Sequence, residues 1–246
     1  MNIDLHYDHN GTKAVRKRYA YGAIEAKMLR LLSPFINVPK VLYSDDETVV
    51  MEYLENDTSF DEAAFGGELA ALHRQTGDYF GLEFDTTIGP FIQPNGMYAK
   101  WSDFFIERRA LYMAREAFDE RRLDSALMKK IEYFCSKLDT LLPNDIAPAL
   151  IHGDIWSGNT LTHRGKNYLI DPAIYYAHNE TELAFIMMFD TFGERFFKSY
   201  DEAMPIAREF FDYRYKIYQL YPYLVHLRIY GSSYLGGVRD IVEEFV

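Results

Sequence analysis

The chain has 246 residues, 48% hydrophobic and 26% charged, which suits one large domain or two coupled lobes and supplies ample material for a core. Its formal net charge of -11 excludes a nucleic-acid-binding surface, which needs a basic stripe; Arg16-Lys17-Arg18 and Arg121-Arg122 are too short to supply one. The single cysteine, Cys135, excludes an intramolecular disulfide and a multi-cysteine zinc site, and its apolar helical surroundings make it buried filler.

The N-terminus, Met1-Asn2-Ile3-Asp4, lacks the basic and apolar regions of a signal peptide, and no apolar run approaches the ~20 residues that span a bilayer. A cytoplasmic, reducing setting without a membrane partner is expected. Ile3 to Tyr7 alternates weakly, Asp8-His9-Asn10-Gly11 reads as a turn, and Thr12 to Tyr19 returns as the second arm of a hairpin. Glu25 to Leu32 reads as a helix stopped ahead of Pro34, because the residue before a proline is pushed out of the helical region. Val38 to Tyr43 and Thr48 to Tyr53 are two further strand candidates around the turn Ser44-Asp45-Asp46-Glu47.

Beyond Tyr53 the pattern turns helical and is expected to stay mostly so. Phe65, Leu69 and Leu72 share one helical face, and Leu123, Leu127, Ile131, Phe134, Leu138 and Leu141 form a stripe that ends at Pro143. Glu182 to Phe189, Pro205 to Leu220 and Leu224 to Val238 suggest further helices. The 20 Tyr and 18 Phe, densest in the last third, read as core at helical spacing. The expected fold class is α+β: a small sheet-rich lobe over residues 1–56 and a larger, mainly helical lobe over 57–246.

The strongest chemical signal is Leu150-Ile151-His152-Gly153-Asp154-Ile155-Trp156-Ser157-Gly158-Asn159, followed by Tyr168-Leu169-Ile170-Asp171-Pro172. Phosphoryl transfer to an alcohol needs a carboxylate that orients the hydroxyl and accepts its proton, and Asp154 fits. It also needs Mg²⁺ against the phosphates, held by hard oxygen ligands, and Asn159 and Asp171 fit. An Asp with an Asn five residues later is the catalytic-loop spacing of protein kinases, and an Asp closing a short apolar strand soon afterwards takes the place of their metal-binding Asp. Leu150-Ile151 and Tyr168-Leu169-Ile170 are expected to pair as a hairpin that brings the two segments together.

A kinase-like small lobe, binding ATP, also requires a phosphate-facing lysine and a glutamate to hold it. Lys17, in Val15-Arg16-Lys17, and Glu25, opening the first helix, are the candidates, with Lys13 as the other lysine in reach. Met51-Glu52-Tyr53-Leu54 ends the last strand of that lobe, where the Glu52 carbonyl and the Leu54 amide are expected to meet adenine.

These segments resemble the fructosamine/ketosamine-3-kinase family, a branch of the aminoglycoside-phosphotransferase-like kinases with a bilobal, protein-kinase-like fold. His152 to Asn159 is similar to the family's HGDLWSGN, and Asp171 to His178 (DPAIYYAH) to its DPA-x-YYGH. Ile88-Gly89-Pro90, Gln93-Pro94-Asn95-Gly96, Trp101-x-x-Phe104-Phe105-x-x-x-Arg109 and Tyr218-Gln219-Leu220-Tyr221 also resemble family signatures, so that the likeness runs from about residue 12 to the C-terminus. The resemblance implies ATP- and Mg²⁺-dependent phosphorylation of the 3-hydroxyl of a ketose joined to an amine. It implies that Trp156 and Tyr175 line the sugar pocket, and that His152 and His73 are braces. The partner class is a small sugar-amine, with glycated protein amines left open. Three departures stand out: only sixteen residues and no glycine-rich loop precede Lys17, Glu182 stands where the family has an aspartate, and Asp190-Thr191 replaces paired glycines. A kinase for an aminoglycoside, choline or homoserine, and a catalytically weak binding protein on the same scaffold, are the rival readings.

Overall fold

Residues 2–7, 11–57 and 59–246 are described by a computed structural model of the chain; of the turn expected at residues 8–11, all but Gly11 lies outside them. Four antiparallel strands, β1 (Asn2–Tyr7), β2 (Lys13–Arg18), β3 (Val41–Ser44) and β4 (Thr48–Glu52), form a sheet in the order β1-β2-β4-β3, with helix α1 (Gly22–Leu32) between β2 and β3. Lys17 pairs with Ile3 on one side and Val49 on the other. Because side chains alternate along a strand, Lys17 shares a face with the buried Val49 and Met51, the face that carries α1. β3 starts at Val41 rather than Val38, since Pro39 has no backbone N–H to give a ladder. α1 ends at Leu32, two residues before Pro34 as expected, and buries Met28, Leu29 and Leu32.

Helix α2 (Glu62–His73) is capped by Asp61, whose carboxylate accepts from the amides of Ala63 and Ala64 at 3.1 and 3.2 Å, a cap worth about 1 kcal/mol. Phe65, Leu69 and Leu72 are fully buried along its inner face.

Beyond Tyr53 the chain is mainly helical as expected, interrupted by short strands that the sequence pattern did not announce. Residues 80–98 form four three-residue strands, β5 (Phe80–Leu82), β6 (Thr86–Ile88), β7 (Phe91–Gln93) and β8 (Gly96–Tyr98). A helical stretch follows, from α3 (Trp101–Phe104) through a π-helical segment (Phe105–Ala110) to α4 (Leu111–Asp119). α5 (Ser125–Leu141), capped by Asp124, carries the expected stripe, with Leu127, Ile131, Phe134 and Leu138 buried.

After α5 the chain forms β9 (Ala149–Ile151), a 3-10 turn at Ser157–Asn159, β10 (Thr160–His163), β11 (Lys166–Leu169) and β12 (Tyr175–Ala177). The hairpin expected between Leu150-Ile151 and Tyr168-Ile170 does not form. β11 pairs instead with its neighbour β10 across the tight turn at Arg164-Gly165, and β9 pairs with β12 in a sheet ordered β8-β5-β12-β9. A short connection closes at far lower entropic cost than the longer one the expected hairpin required.

α6 (Glu180–Met188) and α7 (Glu194–Ala203) follow, and Phe196 and Tyr200 on α7 pack against α2. A π-helical segment (Phe210–Arg214) leads into α8 (Tyr215–Tyr230), and a 3-10 turn (Ser232–Tyr234) into α9 (Leu235–Phe245). The break expected between Leu220 and Leu224 is absent. α8 runs through Pro222 and stops at Gly231, whose φ of 86° lies in the left-handed region that glycine tolerates. A proline in a helix interior costs about 3 kcal/mol. Burial of Ile217, Tyr218, Leu220, Leu224, Val225 and Leu227 on α8 outweighs it, at roughly 1.5–3 kcal/mol per large side chain. The aromatic residues are core as expected: Trp101, Phe104, Phe105 and Tyr218 are all buried, and Trp101 is in ring contact with the other three. No helix among the described residues is long and apolar enough to cross a membrane.

Candidate active site

β9 delivers the chain to His152-Gly153-Asp154 at the edge of the second sheet. Gly153 takes φ of 85°, and a Cβ there would lie 2.3 Å from the Ala173 carbonyl oxygen, so only glycine allows the approach. The Ala173 amide donates to the His152 carbonyl at 2.8 Å, tying the loop to the segment after Asp171. Glu182 on α6 secures it from below, accepting from the backbone amides of His152 (3.0 Å) and Gly153 (2.6 Å) and from His73 Nε2 (3.0 Å). Tyr200 in turn hydrogen-bonds His73 Nδ1 at 2.7 Å. Burial alone would raise the Glu182 carboxyl pKa, but the donors from His73, His152 and Gly153 outweigh it and hold the pKa below the usual value.

Asp154 is half-buried on the wall of a cleft of about 490 Å³. Asn159, at the end of the 3-10 turn, donates through Nδ2 to the Asp154 carbonyl (2.9 Å) and to its carboxylate Oδ2 (2.8 Å). Desolvation pushes the Asp154 pKa up to about 7; the Asn159 hydrogen bond opposes the rise, and the charges of Asp171 and Glu182 add to it. The Asn159 carbonyl accepts from the Ile170 amide at 3.0 Å, which sets Asp171 beside the loop. Asp171 itself is held at φ 55°, in the left-handed region that non-glycine residues seldom occupy.

Lys17 closes the constellation from the first sheet. Its Nζ donates to Glu25 Oε1 at 2.7 Å and to the Asp171 carboxylate, 154 residues away in sequence. Burial would lower the Lys17 pKa, but Glu25 and Asp171 more than compensate, so the ammonium is held charged. The second oxygen of Glu25 accepts from the Tyr19 hydroxyl, so α1 and the segment after β2 share one carboxylate.

The same cleft is lined by Lys17, Glu25, Asp154, Trp156, Asn159 and Asp171. Trp156 is 41% exposed, and Gly158 permits its position: a Cβ on Gly158 would meet the indole at 2.3 Å. Three expected contacts lie elsewhere. Glu52 and Leu54 are half-buried at and beyond the end of β4 and are not part of the cleft lining, and the Glu52 carboxylate accepts from the Lys40 amide at 2.8 Å. Tyr175 is 2% exposed and packs its ring 3.9 Å from the Arg109 guanidinium and 5.6 Å from Phe104. It borders a side cavity of about 20 Å³, too small for a sugar, and is absent from the lining of the main cleft, so Tyr175 supports the site from behind rather than lining the expected sugar pocket.

Other residues of the lining carried no identifying spacing. Tyr19, Ala20 and Tyr21 follow β2; Thr87, Ile88, Gly89 and Pro90 form the β6–β7 turn region; Val225, His226, Ile229 and Tyr230 come from α8. Of these, only Ile88-Gly89-Pro90 stood out in the sequence, through its family resemblance.

The donor set suits a phosphate-bound magnesium ion. Among the described residues no group of three His, Cys, Asp or Glu could enclose a metal. Mg²⁺ in phosphoryl-transfer sites is held through one or two carboxylates plus substrate phosphates. Asp171 offers a part-exposed carboxylate, and Asn159, with its Nδ2 committed to Asp154, has its amide oxygen left as a ligand.

The fructosamine kinase family model matches residues 12–246. A protein of Enterococcus faecium named "Probable ketoamine kinase" is 32% identical over 232 residues, covering 91% of this chain and 83% of that protein. The chloroplastic protein-ribulosamine 3-kinase of Arabidopsis thaliana is 32% identical over 203 residues, which span 80% of this chain and 61% of the plant protein. A crystal structure from Thermobifida fusca, provisionally named a fructosamine-3-kinase, superposes with a TM-score of 0.87 at 30% identity, covering 99% of this chain and 92% of that one. Structures of the aminoglycoside phosphotransferase APH(4)-Ia share the fold alone, at a TM-score of 0.61 and 17% identity. The expected bilobal, kinase-like α+β fold is therefore the fold of this chain.

Proposed function

This chain belongs to the fructosamine kinase family, and on that premise we propose that it transfers the γ-phosphoryl group of ATP to the 3-hydroxyl of a ketosamine, a ketose carrying an amine on C1. The observation that carries the reading is the convergence of Lys17, Glu25 and Asp171 with the Asp154–Asn159 pair on one cleft. Phosphoryl transfer asks little covalent chemistry of the protein; positioning and charge do most of the work.

Asp154 orients the sugar hydroxyl and takes its proton as the new O–P bond forms and the bond to the ADP oxygen breaks. Asn159, bonded to Asp154 Oδ2, fixes the carboxylate's rotamer and leaves Oδ1 to the hydroxyl. Lys17 binds the ATP phosphates, and Glu25 holds its ammonium in place. Mg²⁺, when bound, supplies neutralisation of charge on the phosphate oxygens, and Asp171 and Asn159 are the residues that would hold it. Residues 1–56 serve as the nucleotide lobe and 57–246 as the substrate lobe. The plant relative's name extends the candidate substrates to ketosamines on proteins, ribulosamines among them.

The rival kinases of aminoglycosides, choline or homoserine share the catalytic groups, but similarity to the aminoglycoside enzymes is confined to the fold. Measuring ADP release across fructosamines, ribulosamines, aminoglycosides and amino alcohols tests the reading. Turnover confined to ketosamines upholds it; turnover of another alcohol with none of any ketosamine overturns it.

A further inference from the structure

The part of the cleft that the phosphoryl chemistry leaves unused is aromatic. From Trp156 the rings run in sequence: Trp156 to Phe189 at 6.4 Å between centroids, Phe189 to His226 at 5.0 Å, and His226 to Tyr230 at 5.5 Å. Tyr234 backs both His226 (5.0 Å) and Tyr230 (5.9 Å). Trp156, His226 and Tyr230 line the same cleft as Asp154, and Phe189 supports them. The wall joins three separate parts of the chain, and its outermost ring, Tyr230, is 64% exposed.

The charged residues of the lining are committed elsewhere. Lys17, Glu25 and Asp171 are paired with one another, and Asp154 is tied to Asn159. Burial lowers the His226 pKa and so disfavours the charged ring, although the contact of its Nδ1 with the Pro222 carbonyl at 2.8 Å opposes this. A group resting on this wall therefore meets aromatic rings rather than a carboxylate.

Substrate geometry says which group that is. In a ketosamine the amine nitrogen is four bonds from the oxygen on C3, roughly 4–5 Å by standard bond lengths. Asp154 and Trp156 line the same cleft, so a sugar whose 3-hydroxyl meets Asp154 can turn its amine along the cleft toward the start of the wall. An alkylamine of this kind is protonated at neutral pH, and cations are attracted to the faces of Trp and Tyr. Resting on the ketosamine reading above, we propose that Trp156, His226 and Tyr230 seat the substrate's protonated amine and the first carbons beyond it by cation–π contact, so that the charge on that nitrogen sets the preference among ketosamines of one sugar.

The test compares two ketosamines of the same sugar, one built on an alkylamine and one on an arylamine, whose nitrogen is unprotonated at pH 7. kcat/KM for each is measured in the parent enzyme, Tyr230→Leu and Tyr230→Phe. The parent is expected to prefer the alkylamine compound. Tyr230→Leu should cut that preference about 3- to 10-fold, the range set by a partly exposed cation–π contact, and Tyr230→Phe should keep it. Tyr230 is mostly exposed, so neither change threatens the fold. Turnover with a preference for the arylamine, or a ratio unmoved in Tyr230→Leu, overturns the cation seat and leaves the ketosamine reading standing. Absence of turnover with both compounds overturns the two together.

Discussion

Glu182 accepts a hydrogen bond from the Gly153 amide at 2.6 Å, so that a carboxylate buried on α6 holds the backbone one residue before Asp154. The departure from the family's aspartate at this position therefore keeps its bracing role: the longer side chain reaches both loop amides and His73 together. Hydrogen bonds to a charged group contribute about 1.5–3 kcal/mol each, and stranding the donors adds a desolvation cost.

Glu182→Gln should consequently lower both stability and turnover. The amide oxygen can replace one acceptor, but the amide nitrogen would face donors. A loss of about 2–4 kcal/mol in urea unfolding is expected, with kcat reduced more than the KM for ATP. Unchanged stability in the variant would remove the brace.

Asp154→Asn keeps the shape of the side chain and its bond with Asn159 while removing the proton acceptor. Turnover should fall on the order of 10² to 10⁴-fold. ATP affinity, measured by nucleotide titration, should stay within about twofold, because Asp154 acts on the hydroxyl. Near-normal turnover at saturating substrate would remove Asp154 from this role.

Asp171→Ala removes the charged member of the proposed metal pair and one of the two carboxylates on Lys17. Activity titrated against Mg²⁺ should collapse, and nucleotide binding should lose its Mg²⁺ dependence. A variant whose Mg²⁺ titration overlays that of the parent would show that the metal is held elsewhere.

The convergence of the candidate site residues was legible in the sequence because they are close together: His152 to Asn159 and Ile170-Asp171 form one local unit, and the pairing of Lys17 with Glu25 spans eight residues. The strands of residues 80–98 were illegible because three residues carry no period, and Gly81 and Gly96, both at positive φ, interrupt any longer pattern. Pro222 announced a helix end that burial of α8 overrides. Tyr175 carried the right motif, but a motif does not say which face of β12 looks into the cleft. Tyr19, His226 and Tyr230 gave no signal, since each comes from a segment whose aromatic residues read equally well as core.

Tyr19 supplies a test of how Lys17 is held. Its hydroxyl donates to Glu25 Oε2, while Glu25 Oε1 accepts from Lys17. Tyr19→Phe keeps the ring and its edge contact with Tyr21 but frees one carboxylate oxygen. The KM for ATP should rise about 10-fold, the equivalent of a lost charge-assisted hydrogen bond, while the KM for the sugar substrate stays level. Equal changes in both constants would mean that Tyr19 acts on the whole cleft and not through Lys17.

The last prediction concerns acid. His178 is buried, its Nδ1 2.7 Å from the Tyr218 hydroxyl, and desolvation, with the charges of Arg214 and His73, lowers its pKa from 6.5 to about 3. The native protein therefore keeps His178 neutral where the unfolded chain protonates it. Protons taken up on unfolding make stability fall with pH: the contribution is complete above about 7, begins to be lost near 6.5 and continues to decline toward 3. Between pH 7 and 5 the loss from this residue is about 2 kcal/mol. Glu180, 3.6 Å away, is placed to reverse the sign by accepting the imidazolium, but it is committed to Arg214 through two hydrogen bonds at 2.6 and 2.7 Å. His178→Gln retains an acceptor for Tyr218 and removes the titration. Urea unfolding of both proteins at pH 7 and 5 should show the parent losing about 2 kcal/mol more than the variant. Equal losses would show that Glu180 stabilises a protonated His178 in the folded protein.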